Sequence, residues 1–306
     1  MLIMMAAVWP LNAEAQNDVS VWDGFAESWT QGDGTENNPY LIENARQLAY
    51  IAEMVNAGVT HYDSTYFKLT TDILIDSTTA WEPIGLDGTY YFAGHFDGDN
   101  HIVALYLNTS SLRYIGLFGY IRNSSIKNLT SGGEIYCLTS VNVDVYVGGM
   151  VGYNYGNIII SNCHNIGKIS CINNSFSSSV FVGGISGACT DGIILNSHNS
   201  GEISYTSYSN NALGTVGGIT GVGHNLFMCY NTGNISSSLG HIGGIAGSLG
   251  NIINCYNTGN VSSTSSYTNV GGIVGLERDT IILCRRTEPH TMAIPRPSPP
   301  SPVTCR

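Results

Sequence analysis

Charge is scarce in this chain. Only 11% of its 306 residues are Asp, Glu, Lys or Arg, and between Cys137 and Leu276 the only ones are Asp144, Lys168, Asp191 and Glu202. A solvent-facing surface there has to be made from Ser, Thr, Asn and Tyr, which suits a rigid extracellular protein. Basic residues are the rarer sign: residues 1–276 hold 6 against 19 acidic ones, a balance of −13, while 277–306 hold 5 against 3, a balance of +2. Binding a phosphate backbone needs clustered Lys and Arg, so nucleic acid is excluded as a partner. No apolar run after the first residues is long enough to cross a bilayer. The 8 cysteines show no CxxC or Cys/His spacing of a zinc site. No Gly-x-Ser-x-Gly elbow is present, Gly184-Ile185-Ser186-Gly187 being one residue short.

What the chain does have is repetition. VGGITGVGHNLFMCYNTGNIS at 216–236 is written again as IGGIAGSLGNIINCYNTGNVS at 242–262. Earlier copies start at Val147 and Val182, an older-looking one at Ile115, and a fragment at Val270. The second glycines of the Gly-Gly pairs, Gly149, Gly184, Gly218, Gly244 and Gly272, are spaced by 35, 34, 26 and 28 residues. A unit recurring at that period signals a solenoid, in which no copy buries its apolar side alone. Each copy alternates short Ile/Val-rich runs with Gly, Asn, Ser and Thr, the composition of strands and turns, and lacks the continuous periodicity of a helical repeat. The expectation is an all-β fold, a parallel β-helix of three strands and three turns per coil. Stacking at roughly 4.8 Å then puts equivalent residues above one another. One ladder is Cys163, Ser197, Cys229, Cys255 and Cys284, read as small buried side chains; another is Asn165, Asn199, Asn231 and Asn257. Gly167, Gly201, Gly233 and Gly259 are expected at tight corners with positive φ.

The ends differ from the repeats. Residues 1–15 read as a secretory signal peptide, an apolar run closed by Ala13-Glu14-Ala15 although the usual basic start is missing. Residues 16–112 read as an N-terminal capping region with the first coils. Asn44 and Gln47 resemble a capping box opening an amphipathic helix at about 44–57, stopped by Gly58. YFKLTTDILI, WEPIG, YYFAGHFDG and HIVALYL follow as strands. Residues 113–284 hold the repeats. In the tail, 285–306, Arg285-Arg286-Thr287 stands where Tyr-Asn-Thr-Gly should follow, and six of nine prolines fall in the last 18 residues. Two readings stay open, a frameshift and a Pro-rich linker.

Chemistry-bearing residues are few. His95-Phe96-Asp97-Gly98-Asp99-Asn100-His101 gathers two carboxylates and two imidazoles; Asp97 and Asp99 are the pair a polysaccharide-active lyase or glycosidase would use, though Asp-Gly-Asp-Asn is also ordinary turn chemistry. Asp33 and Glu36 suit calcium or a loop. Gly-Gly-x-x-Gly lacks the Lys-Ser/Thr of a phosphate loop and recurs in every coil. Tyr153, Tyr155, Tyr205, Tyr208 and Tyr267 lie in or near turns and can stack on sugars. No catalytic, metal or cofactor-binding residue is assigned, and no cofactor is expected.

These residues resemble the GLUG-motif repeats of secreted bacterial proteins, whose Gly-Leu-apolar-Gly core stands here as Gly116-Leu117-Phe118-Gly119 and, less faithfully, as Gly149-Met150-Val151-Gly152 and Gly272-Ile273-Val274-Gly275. The resemblance spans about 22–284. It implies a right-handed parallel β-helix on exported proteins, as part of longer surface proteins, adhesin-like chains or a module of immunoglobulin A-cleaving metallopeptidases. The peptidase motif His-Glu-x-x-His is missing, so that activity does not carry over. The expected protein is a non-enzymatic stalk or adhesin-like scaffold outside the cell, binding glycan or protein. The alternatives are the β-helix enzyme and an amino-terminal fragment of a larger surface protein with further domains.

Overall fold

The computed structural model describes residues 19–209, 214–265, 268–277, 281–282 and 284–286. The expected signal peptide and the tail from Thr287 lie outside the described residues. Three sheets of 13, 12 and 6 strands run along a parallel β-helix. The strand Thr130–Thr139 shows the rule: it pairs in parallel with Ile102–Thr109 of one neighbouring coil and Lys168–Asn173 of the other. The smallest sheet stacks Tyr114–Ile115, Val145–Gly148, Val180–Gly183, Gly214–Gly217, Gly240–Gly243 and Thr268–Gly271, one strand per coil, giving six coils. Along it Ile115, Val147, Val182, Val216 and Ile242 point inward and are fully buried. Each such side chain contributes about 1.5–3 kcal/mol of burial, and its neighbours above and below belong to other coils, so the core is shared along the rod.

The two ladders read from the sequence are present. Cys163, Ser197, Cys229, Cys255 and Cys284 are all buried. The amide ladder runs from Asn165 Nδ2 to Asn199 Oδ1 at 2.7 Å, from Asn199 to Asn231 at 2.7 Å and from Asn231 to Asn257 at 2.8 Å. Each Nδ2 also donates to a carbonyl two residues on, as Asn231 does to Gly233 at 2.8 Å, so buried amides that would be costly alone are satisfied. This ladder accounts for the Gly-Gly pair. A Cβ on Gly218 would lie 2.2 Å from the Gly244 carbonyl oxygen and 2.5 Å from the Asn231 side chain, and Gly149, Gly184 and Gly244 meet Asn165, Asn199 and Asn257 in the same way.

The corner glycines are a correction. Gly167, Gly201, Gly233 and Gly259 do not take positive φ. They are small because coils approach closely there: a Cβ on Gly233 would sit 2.0 Å from the Gly201 carbonyl oxygen. The left-handed corner lies instead one residue before the cysteine ladder, at Asn162, Asn196, Met228 and Asn254, with φ of 53°, 48°, 52° and 55°.

At the amino end, helix α1 (Ala45–Asn56) forms as expected. The Asn44 side chain accepts from Gln47 N–H at 3.0 Å, while Gln47 Oε1 accepts from Glu43 N–H at 2.7 Å, a capping box shifted by one residue. Gly58, at φ 70°, closes a Schellman turn, with Gly58 N–H donating to Val55 and Val59 N–H to Met54. Leu48, Ile51 and Val55 are fully buried, and the helix packs on strands Tyr40–Ile42 and Ile73–Ile75, covering the end of the core. WEPIG is not a strand; only Ile84 makes a bridge, to Phe118, since Pro83 has no N–H to donate.

Candidate functional site

His95 and Asp97 point outward from the strand His95–Asp97, whose middle residue Phe96 is buried. Asp97 lies between Lys68 and Lys127 in the strand register. Its Oδ2 is 3.2 Å from Lys127 Nζ, and its Oδ1 accepts from Asp99 N–H at 3.0 Å and Asn128 Nδ2 at 2.9 Å. Burial pushes the Asp97 carboxyl up, but these donors outweigh it and hold the group below the usual carboxylate range. Asp99 pairs with Lys68 Nζ at 2.9 Å, and Asp99 and Asn100 turn the chain at φ of 46° and 68°. The two histidines part company: His95 Nδ1 meets Ser125 Oγ at 2.8 Å, whereas His101 Nδ1 meets Asp72 Oδ1 at 3.0 Å. The structure thus places Asp97 and Asp99 in one tight turn, each tied to its own lysine.

The remaining sequence candidates are integrated into the scaffold. Asp33 Oδ1 caps its own loop, accepting from Thr35 N–H and hydroxyl at 3.0 and 2.7 Å. Ser186 is buried and donates to the Ala188 carbonyl at 3.0 Å. Burial pushes the thiols of Cys163 and Cys189 up to about 12 and about 11, the opposite of what a nucleophile needs. No group of three His, Cys, Asp or Glu side chains is placed to hold a metal ion among the described residues. Of the tyrosines, Tyr155 and Tyr208 are exposed, Tyr205 is buried in a strand, and Tyr267 lies outside the described residues.

Two outward ring ladders escaped the sequence reading. In the first, His164, His198, Tyr230 and Tyr256 stack with centroids 3.4, 4.4 and 4.9 Å apart. Burial, and secondarily His198, lower the His164 pKa from 6.5 to about 4; burial lowers His198 as well. In the second, Tyr114, Tyr146 and Phe181 stack at 5.5 and 5.0 Å. Tyr120 and Tyr153, 5.1 Å apart on the adjoining sheet, close on it, Tyr120 edge-on to Tyr114 at 5.2 Å and Tyr153 to Tyr146 at 4.9 Å. These rings are half-buried, and desolvation pushes the Tyr120 and Tyr146 hydroxyls up to about 12. Aligning the copies by their Gly-Gly pairs would have exposed part of this ladder, because Tyr146 and Phe181 each stand two residues before the first glycine of a pair; Tyr114, whose copy has only Gly116, joins it through the strand register.

Three parallel sheets around one shared core, built from glycine-paired copies, define a β-solenoid repeat protein. The model of the GLUG motif matches residues 144–170. A provisionally named Gly-rich membrane protein of Evansella cellulosilytica is 35% identical over 148 residues, 46% of this chain and 15% of that relative's length. The crystal structure of a provisionally named immunoglobulin A1 protease from Bacteroides ovatus superposes with a TM-score of 0.55 at 22% identity, covering 88% of this chain and 84% of the other. Likeness at that identity establishes the fold alone. No described helix is long and apolar enough to cross a membrane.

Proposed function

We propose that the chain is a non-enzymatic, surface-displayed rod that binds glycan or protein through an outward face. One observation carries this reading: the outward features are ladders that recur from coil to coil, as in the stack His164, His198, Tyr230, Tyr256, and do not converge on one point. Export through residues 1–15, a repeat body over 113–284, and further domains in a longer protein belong to the same proposal. The lysine ties of Asp97 and Asp99 favour a structural turn over the acid/base pair that sugar cleavage requires.

A polysaccharide panel read for both binding and new reducing ends tests it. Binding with the polymers recovered intact is the expected result. Product formation abolished by Asp97→Asn or Asp99→Asn would establish the enzyme instead.

A further inference from the structure

Before residue 277 the chain holds six Lys and Arg side chains. Four answer an acid: Arg46 pairs with Asp23 and Glu27, Lys68 with Asp99, Lys127 with Asp97, and Lys168 with Glu134. Arg113 and Arg122 have no carboxylate partner among the described residues, and both lie against tyrosines. The Arg113 guanidinium stands 5.1 Å over Tyr114, its Nε donating to the Asp144 carbonyl at 3.1 Å. The Arg122 guanidinium stands 5.4 Å from the centroid of Tyr91 and 5.8 Å from that of Tyr155. In a chain of net charge −11, Arg113 thus borders the aromatic corner between two sheets directly, and Arg122 lies close enough to its Tyr120 to act on that hydroxyl electrostatically.

The path across that corner is short. Arg113 leads to Tyr114, Tyr114 lies 5.2 Å from Tyr120, and Arg122 follows Tyr120 by two residues in the strand Phe118–Arg122, so both side chains point to the same face. Asp87 and Asp144 also lie within electrostatic reach of Tyr114, but each carboxylate is engaged by backbone N–H groups and neither forms an ion pair with Arg113 or Arg122 among the described residues. Asp144 Oδ1 accepts from Ser179 N–H at 3.0 Å, and Asp87 Oδ1 from Thr89 and Tyr90 N–H at 2.7 and 3.0 Å. Tyrosine faces offer an apolar platform with little rotamer freedom to lose. A guanidinium offers a planar fork matched to a carboxylate or sulfate, already held against a ring.

We propose that this corner binds an acidic glycan, the pyranose faces lying on Tyr120 and Tyr153 while Arg113 and Arg122 hold the anionic substituents. The assignment rests on the rod acting as a binding scaffold, and it adds the class of ligand and the place where it docks. A neutral glycan needs only the rings. Arg113, exposed, and Arg122, half-buried, are what an anion adds to the requirement.

The test uses the full chain with four polymers: polygalacturonate and hyaluronan carrying carboxylates, chondroitin sulfate carrying sulfate as well, and dextran as the neutral control. The acidic polymers should bind at least tenfold more tightly than dextran, with affinity falling as salt rises. The double variant R113Q/R122Q should lose at least tenfold for the acidic polymers at an unchanged melting temperature. Tyr153→Ala should weaken them as well, and the arginine variant, which removes no core atom, separates lost binding from lost folding. Preference for hyaluronan and polygalacturonate over chondroitin sulfate, or the reverse, identifies which anion the forks fit. Equal affinity for dextran, or acidic binding indifferent to R113Q/R122Q, overturns the inference while leaving the scaffold intact. Cleavage of any polymer overturns the scaffold reading itself.

Discussion

Met228 occupies a position at which Asn162, Asn196 and Asn254 stand in other coils, and like them it is held in the left-handed region, at φ 52°. Asparagine tolerates that conformation, and an unbranched apolar residue costs roughly 1–2 kcal/mol there. Its side chain is exposed at 51%, so it contributes little burial in return. Met228→Asn should therefore raise stability by about 1 kcal/mol, read as an increase in the urea midpoint; a decrease would mean that Met228 packs against something. The histidine pair gives a second expectation at this scale. Because the folded-state pKa of His164 is depressed from 6.5 to about 4 and that of His198 is also lowered, protonation favours the unfolded chain. Their contribution is fully present above pH 6.5 and is lost as pH falls from there toward 4. A melting temperature followed over that window should fall, and His198→Tyr, which matches Tyr230 and Tyr256 in the next coils, should flatten the fall. Identical profiles for the two proteins would contradict it. Such residues were only partly legible beforehand: Asn stands ahead of Cys163, Ser197 and Cys255, but the left-handed angle was expected at the corner glycines, since Gly in a turn and Gly in a close contact look the same in sequence.

Within a coil, the Gly-Gly pair and the Asn that follows it some fifteen residues later act as one element. Asn231 shows how: its amide donates to Asn257 and Gly233 and accepts from Asn199, and the space it fills is left by Gly218. Asn231→Ala removes three buried hydrogen bonds, leaving Asn199 Nδ2 with only the Gly201 carbonyl, Asn257 Oδ1 with only the Gly259 N–H and the Gly233 carbonyl without this donor, at about 1 kcal/mol each. A loss of about 3 kcal/mol or more in chemical denaturation is expected, whereas a loss under 1 kcal/mol would show that the ladder is not continuous. Both halves of this element were evident as repeated letters, because the period of the repeat is the period of the stack. What joins them was not, because their contact depends on how the coil turns between them. The helix was legible nearly to the residue, since Asn44, Gln47 and Gly58 are local signals. WEPIG failed as a strand because Pro83 has no N–H to give a ladder, which leaves Ile84 with a single bridge to Phe118.

At the scale of the whole molecule, the rings along the outer face were the least legible feature. Tyr114, Tyr120, Tyr146, Tyr153 and Phe181 lie far apart along the chain, and stacking alone gathers them. Arg113 and Arg122 gain meaning only when every other cation before residue 277 is seen to be paired. Coils are exchangeable units that share a core, and the proposed binding corner is built on the earlier ones. Tyr230 pairs with Tyr256, and each follows a cysteine, Cys229 and Cys255, so excising residues 230–255 joins Cys229 directly to Tyr256 and removes one coil in register. The decisive measurement is a circular dichroism melt of that deletion. A cooperative transition with unchanged β-sheet signal and only a modest drop in midpoint is expected; an unfolded chain would rule out a rod of stacked, interchangeable coils.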